Sequence, residues 1–311
     1  MSQDQPETDQ APLAPFDILF DVAQGAEAPL PAALAALYGR MAFPNDAADV
    51  GRAWVISNFV ASIDGVVAFN DPVPPGVGEI SASNAHDRAT MGLLRALADA
   101  VVVGAGTLRS VPRHLWTPAY IYPPLAVAYA ELRATLGKAP TPLNVIVSGT
   151  GDVDVSLPVF QRDDVAALLL TTPSGAARLA AQPGGLALGP HAQMRTAQAL
   201  AVSGGIAARA TLDAALATLA PHAGNAPAGR PLILVEGGPR LLGGFVAEGL
   251  LDEQFLTIAP QLVGRDDQFH RPGLIEGQRL APDQPRWARL VSARRAASFL
   301  FLRYDLSHTT A

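Results

Sequence analysis

The sequence predicts an α/β fold: a mixed, mainly parallel central sheet flanked by helices and closed by antiparallel C-terminal strands. Short, continuously apolar runs alternate with helical patterns through the middle of the chain, as buried parallel strands do. The last apolar runs follow one another with no helical pattern between them, which predicts antiparallel closure. Two of the buried runs end in a glycine turn that leads into a helix.

Taken in order, the polar, acidic stretch Met1 to Pro12 reads as a disordered tail, without the charged and apolar regions of a secretory signal. Residues 13–48 read as an N-terminal appendage: a short apolar stretch from Phe16, a helix over Pro31 to Tyr38, and the turn Pro44-Asn45-Asp46. The main domain occupies 49–311, with no linker dividing it. Trp54 to Val60 is its first strand, and Ile63-Asp64-Gly65-Val66 is a turn leading to a second short apolar run. Asn84 to Leu97 places Met91, Leu94 and Leu97 at helical spacing, with Ser83 as N-cap. Ala100 to Val103 is a strand running into Gly104, and Leu143 to Val147, Ala166 to Leu170 and Leu232 to Val235 are similar runs. Phe255 to Ile258, Arg289 to Ala293 and Phe299 to Leu306 are the closing strands. Pro112 to Pro124, Gln182 to Pro190, Pro221 to Pro231 and Gly264 to Pro285 are loops by composition.

With 311 residues, 49% hydrophobic and 16% charged, the chain can bury a sizeable core. A net charge of -6 leaves no excess of cations for phosphate backbones, so nucleic acid and anionic membranes are disfavoured as partners. No apolar run reaches the roughly 18–20 residues that span a bilayer. The absence of cysteine excludes disulfides, thiolate nucleophiles and Cys-ligated metals, and a cytoplasmic address is expected. The six histidines show no metal-ligand spacing, so no metal site is expected. Ala201-Val202-Ser203-Gly204-Gly205 lacks the first glycine of a nucleophile elbow, and nothing in the sequence completes a triad.

The chemistry concentrates at the two glycine corners, Val103-Gly104-Ala105-Gly106-Thr107 and Val235-Glu236-Gly237-Gly238-Pro239-Arg240-Leu241. Each aims bare backbone N–H groups and a helix N-terminus at one point, which favours a phosphate, and together they are suited to a pyrophosphate. Pro239 fits a first helical turn because it has no N–H to leave unpaired. A Rossmann fingerprint fails: Arg109 stands where its third glycine belongs, and no ribose-binding acid follows at the expected distance. Taken alone, Ser62-Ile63-Asp64-Gly65 reads first as a turn in which Asp64 bonds its own backbone. Arg95 and Asp99 are spaced as a helical ion pair, and Arg88 is either an anion ligand or solvated.

Three segments, Asn58-Phe59-Val60-Ala61-Ser62-Ile63-Asp64-Gly65, Leu94 to Thr107, and Glu236 to Leu242, resemble in order and spacing the RibD C-terminal family. That family is the reductase domain of riboflavin biosynthesis, with a dihydrofolate-reductase-like fold. Leu251 to Gly264 is similar to its pattern after the last main helix. The resemblance implies an NADPH-dependent reductase, in which hydride passes to a ribosylamino-pyrimidine phosphate and opens the ribose to a ribityl chain. It also implies a homodimer. By it, Gly104, Gly106, Thr107, Gly237, Gly238, Arg240 and Leu241 line the pyrophosphate and nicotinamide, while Ser148, Gly149, Thr150, Thr171 and Thr172 lie by the adenosine half. Asn58, Ser62 and Asp64 would face the substrate, with Asp64 the first candidate for donating a proton or for gripping the ring's N–H groups and Glu236 the second; Arg88, read from its place near the helix start, is the candidate for a substrate phosphate. Val66 and Ser110-Val111-Pro112-Arg113-His114 depart from the family's pattern where the sugar phosphate is reached, which leaves dihydrofolate, a pterin or another small molecule as an alternative substrate. A protein that binds NADPH as a sensor without turnover is the reading from another class. The fused zinc deaminase of bifunctional members needs cysteines this chain lacks. The stretch Pro112 to Pro142 reads as an insertion that reshapes the pocket or builds a subunit contact.

Overall fold

The computed structural model describes residues 13–44, 52–70, 80–182, 185–200, 205–219 and 229–307. The tail expected over 1–12, most of the Pro221 to Pro231 loop and residues 201–204 lie outside the described residues. The chain begins with β1 (Asp17–Asp21), β2 (Ala26–Glu27), α1 (Ala32–Tyr38), β3 (Ala42–Phe43), β4 (Trp54–Ser62), α2 (Ala85–Leu97), β5 (Ala100–Gly104) and α3 (Ala105–Ser110). It continues through α4 (Pro118–Ile121), α5 (Ala126–Thr135), β6 (Leu143–Ser148), α6 (Pro158–Gln161), β7 (Ala167–Thr171), α7 (Pro173–Ala180) and β8 (Ala192–Thr196). It ends with α8 (Ala208–Leu219), β9 (Leu232–Gly237), α9 (Pro239–Ala247), β10 (Glu253–Ala259), β11 (Arg289–Ala296) and β12 (Phe299–Asp305).

Ten strands form one sheet in the order β1-β11-β12-β10-β4-β9-β5-β6-β7-β8. From β10 to β8 every pairing is parallel, whereas β12, β11 and β1 add antiparallel strands at one end. The α/β class and the antiparallel ending are as the sequence predicts. β10 differs in part: it is antiparallel to β12 but parallel to β4, because α9 carries the chain across one face before β10 begins.

Both faces of the sheet are buried, which is why its central strands are apolar throughout. On one face Leu93, Leu94 and Leu97 of α2 and Tyr129 and Leu132 of α5 pack on Trp54, Ile56, Val101 and Val103. On the other, Leu212 and Ala215 of α8 and Leu242 and Phe245 of α9 pack on Val55, Val102, Ile233 and Val235. Each large apolar side chain so buried contributes roughly 1.5–3 kcal/mol.

The N-cap of α2 is Asn84, whose side chain accepts from the Asp87 N–H. Ser83, the expected cap, sits one residue earlier at a φ of 56°. The proline-rich stretch is not all loop, since Pro118 opens α4 from the first helical turn and α5 follows shortly after. α5 braces α2: the Tyr129 hydroxyl donates to the Ala89 carbonyl, and Arg133 Nη1 donates to the carbonyls of Arg95, Ala96 and Ala98 at 3.2, 3.1 and 2.8 Å. Those bonds satisfy carbonyls that a helix end leaves unpaired. The stretch expected as an insertion therefore holds α2 in place.

Arg95 and Asp99 do not pair with each other. Asp99 meets Lys138 at 2.5 Å and accepts from the Leu232 N–H at 2.8 Å, whereas Arg95 turns to Glu236. Asp99 ends beyond the last turn of α2, where helical spacing no longer places side chains on one face.

Candidate active site

β9 and β5 are hydrogen-bonded neighbours, and both end in glycine at the same edge of the parallel sheet, with Val103 in register with Gly237. A Cβ built on Gly104 would lie 3.8 Å from the Gly238 nitrogen and 3.9 Å from the Gly237 oxygen, so the two corners abut. On Gly237 a Cβ would meet Thr107 Oγ1 at 2.6 Å; this close approach of α3 to β9 requires glycine. The Gly237–Gly238 peptide is cis. α9 starts from Gly238 with Pro239 in its first turn, and no side chain caps it, which leaves backbone N–H groups of its first turn open to a ligand. Arg240 is exposed and Leu241 half-buried on that turn.

On the other side of β5, Ser148 ends β6 and is 3% exposed, and its buried hydroxyl has no hydrogen-bond partner. A buried polar group left unpaired costs stability, so this hydroxyl is one that a ligand atom could satisfy. The threonines behave otherwise. Thr171 donates to the Ser148 carbonyl, and Thr172 donates to the Gly149 carbonyl while accepting from the Gly175 N–H as the cap of α7. Thr172, expected at the cofactor, is thus committed to the fold. Thr150 is exposed on the following turn and accepts from the Asp152 N–H at 3.3 Å.

The residues expected at the substrate separate into two groups. Ser62 is fully buried; its hydroxyl donates to Asp64 Oδ1 at 2.7 Å and accepts from the Val66 N–H. Asp64 also accepts from the N–H groups of Val263 and Gly264, and Gly65 completes the turn at a φ of 80°. These bonds hold the Asp64 carboxyl far below its usual range, the Ser62 hydroxyl contributing most. The same bonds engage Asp64 and Ser62 with each other and with the backbone, and the two join the end of β4 to the loop after β10. Because the folded pKa of Asp64 is depressed, its stabilisation is present above the ordinary value of 3.8 and lost as the pH falls below it. Asp64→Asn is expected to lower the melting temperature at neutral pH, with the gap to wild type closing in acid; thermal melts across pH check this.

Asn58 and Glu236 belong to the second group, and Thr257, not expected from the sequence, joins them. The register of β4, β9 and β10 puts their side chains on the α2 face of the sheet, at the edge where the glycine corners lie. Glu236 is buried and held by Arg95, with Nη2 to Oε2 at 2.7 Å and Nε to Oε2 at 2.9 Å. Burial pushes Glu236 up and the guanidinium opposes it. Arg95 also reaches His114 Nε2 at 3.1 Å and the carbonyls of Leu115 and Thr117 at 3.4 Å. Burial and the cations beside it push His114 far below its usual range, so a neutral ring accepts from Arg95. Arg88, expected as an anion ligand, spends its Nε on the Ile121 carbonyl at 2.9 Å.

Asp87 is the functional candidate that sequence reasoning passed over. It is 3% exposed, and the Thr257 and Ser81 hydroxyls and the Glu236 charge bear on its carboxyl. Burial, with Glu236 adding to it, pushes its carboxyl up to about 6. In the sequence it is an acid in a first helical turn, where a solvated, dipole-facing side chain is the ordinary expectation.

The sequence matches the RibD C-terminal domain over residues 53–289, most of the chain. The chain belongs to the RibD C-terminal domain family. Among solved structures it is similar to a pyrimidine reductase-like protein from Corynebacterium diphtheriae, at 20% identity and a TM-score of 0.59, covering 88% of this chain and 97% of that one. It is also similar to a diaminohydroxyphosphoribosylaminopyrimidine deaminase/5-amino-6-(5-phosphoribosylamino)uracil reductase from Thermotoga maritima, at 17% identity and a TM-score of 0.51, covering 82% of this chain and 57% of that one. A riboflavin biosynthesis reductase of Saccharomyces cerevisiae aligns at 11% identity and a TM-score of 0.50, covering 82% and 90%. No curated protein matches the sequence. In this RibD C-terminal domain the first departure noted above turns inward, whereas the second does so only at its last residue, Ser110, Pro112 and Arg113 being exposed. Val66 is fully buried against Ile80 and Ala259, and His114 is buried against Trp116 and Tyr120 beside Arg95. Among the described residues no helix is long and apolar enough to cross a membrane, and no cluster of three or more His, Asp or Glu side chains is placed to hold a metal.

Proposed function

We propose that this RibD C-terminal domain is an NADPH-dependent reductase of a pyrimidine or related nitrogen heterocycle. The abutting glycine corners carry the reading: adjacent parallel strands present two bare helix starts at one point, with the orphaned Ser148 hydroxyl one strand away. Those features fit a dinucleotide. Gly104, Gly106, Thr107, Gly238, Arg240 and Leu241 would hold the diphosphate and nicotinamide. Ser148, Gly149 and Thr150 would take the adenosine half. Bound NADPH supplies the hydride; the chain binds and orients the reactants and manages the proton.

Family membership and the structural likenesses support a riboflavin-type substrate, a ribosylamino-pyrimidine phosphate. The burial of Val66, at the first place where the sequence departs from the family's pattern, supports as a second reading a heterocycle held by its ring alone, such as a pterin. The exposed edge strand β1, with Ile18 and Leu19 54% and 55% exposed, supports a homodimer.

Titrating purified protein with NADPH and then offering a panel of pyrimidines and pterins tests the proposal. Binding followed by loss of reduced-nicotinamide absorbance with one of them is the expected result. Binding without oxidation across the panel would leave a sensor, and no binding would end the reading.

A further inference from the structure

We infer that a cleft at the end of the sheet opposite the glycine corners is a second ligand site, which takes the phosphate monoester of a small organic molecule on the guanidinium groups of Arg209 and Arg286. The inference does not depend on the reductase reading.

The parallel strands β4, β9 and β10 begin at this end, and the corner after β9 lies a strand's length away, roughly 20 Å for six residues. Here α9 stops, α8 starts and β12 ends, and beside them lies a cavity of about 350 Å³. That volume falls in the range of small-molecule sites. Arg52, Arg209 and Arg286 line it, gathered from three distant parts of the chain, and Asp252 is the one acid among the described residues of its wall.

The charges do not cancel. Asp252 is engaged by Arg52, with Nη2 to Oδ1 at 2.8 Å and Nη1 to Oδ2 at 3.2 Å, and it accepts from the Val55 N–H at 2.7 Å. Glu248, just past the end of α9, is spent on the start of α8, where it accepts from the N–H groups of Ala208 and Arg209 at 2.8 and 2.9 Å. Arg286 is held at the end of α9 by one bond, Nη2 to the Ala247 carbonyl at 3.2 Å, which leaves most of its fork of donors for another group. Among the described residues no acid pairs with the Arg209 or Arg286 guanidinium. Arginines that serve only to keep a surface solvated would be expected beside acids in a chain of net charge -6, as Arg162 is beside Asp164 and Arg295 beside Asp17. Two unmatched cations around one cleft repel each other when it is empty and attract an anion into it.

The chemistry of the wall selects the anion. Two uncompensated positive charges match the near-double charge of a phosphate monoester at neutral pH, and guanidinium forks match its oxygens. Val246, Leu250, Leu251 and Leu306 line the remainder of the cavity, so the body that carries the phosphate is apolar or aromatic.

Calorimetric titration with phenyl phosphate, inorganic phosphate and phenol tests the site. Wild type is expected to bind phenyl phosphate, inorganic phosphate more weakly and phenol not at all. Arg209→Gln and Arg286→Gln should each weaken phenyl phosphate about tenfold, the lower range for a hydrogen bond to a charged group. Gly106→Val at the corner and Arg195→Gln on the far edge strand β8 should leave it unchanged. No heat from phenyl phosphate up to about 10 mM, well beyond any useful affinity, would overturn the inference. Undiminished binding in both cleft variants, an equal loss in Arg195→Gln, or a loss confined to Gly106→Val would overturn it as well. Both cleft arginines are exposed, so their variants should melt close to wild type. Nuclear Overhauser contacts from the phenyl protons to the methyl groups of Leu250, Leu251 and Leu306 place the ligand without any substitution; contacts only to residues of the glycine corners would contradict the site. NADPH titration reads the corners separately, so failure there leaves this cleft standing, and failure here leaves the reductase reading standing.

Discussion

Replacing Arg95 with methionine is expected to cost the fold about 3–5 kcal/mol, the range for breaking a buried ion pair from one side. The side chains of Arg95 and Glu236 are only 2% and 4% exposed, so water cannot take over for the lost guanidinium. Glu236 would be left charged beside Asp87, and the carbonyls of Leu115 and Thr117 and the His114 ring would lose their donor together. Most of the cost is the stranded carboxylate, so Arg95→Met combined with Glu236→Gln should be less destabilised than Arg95→Met alone. Urea unfolding at constant m-value checks both variants. A loss below about 1 kcal/mol in the single variant, typical of exposed pairs, would mean that Glu236 is not buried as described.

The second large effect concerns binding rather than stability. A Cβ built on Gly106 meets nothing within 4 Å, so the fold itself has room for a side chain there. Gly106 lies in the first turn of α3 with ordinary helical backbone, where alanine is favoured over glycine by up to about 1 kcal/mol. Gly106→Ala should leave the melting temperature equal or higher, and Gly106→Val should fold normally. If the open space belongs to the diphosphate, Gly106→Val loses NADPH affinity by about 100-fold, or about 3 kcal/mol. Calorimetric titration of NADPH into the variant measures this directly. Gly237→Ala makes a poor substitute, because its new methyl would strike Thr107 whether or not a ligand is present.

What the sequence revealed follows from the range of the interactions involved. The strands β5, β6, β7 and β9 are legible because burial on both faces makes them continuously apolar. The edge strand β8, Ala-Gln-Met-Arg-Thr, is largely exposed and shows no apolar run. The glycine corners are legible because a strand, a turn and a helix start are local features. Their meeting depends on β5 lying next to β9, which strand order alone decides. Asp64 was ambiguous for the same reason. Its turn could be read locally, but the bonds that fix its role come from Val263 and Gly264, 199 and 200 residues away. Arg95 and Glu236 are 141 residues apart, so the helical spacing of Arg95 and Asp99 suggested the wrong partner. Asp87 owes its raised pKa first to burial and then to the distant Glu236, neither of which a local reading of its helix shows.

The measurement that bears most directly on the account is a crystal structure of the protein grown with NADPH. The diphosphate should lie between the Gly104–Thr107 and Gly238–Leu241 turns, with the Ser148 hydroxyl within hydrogen-bond distance of the adenosine half. NADPH bound elsewhere, or a Ser148 hydroxyl still without a partner in the complex, would contradict the cradle on which the reductase proposal stands.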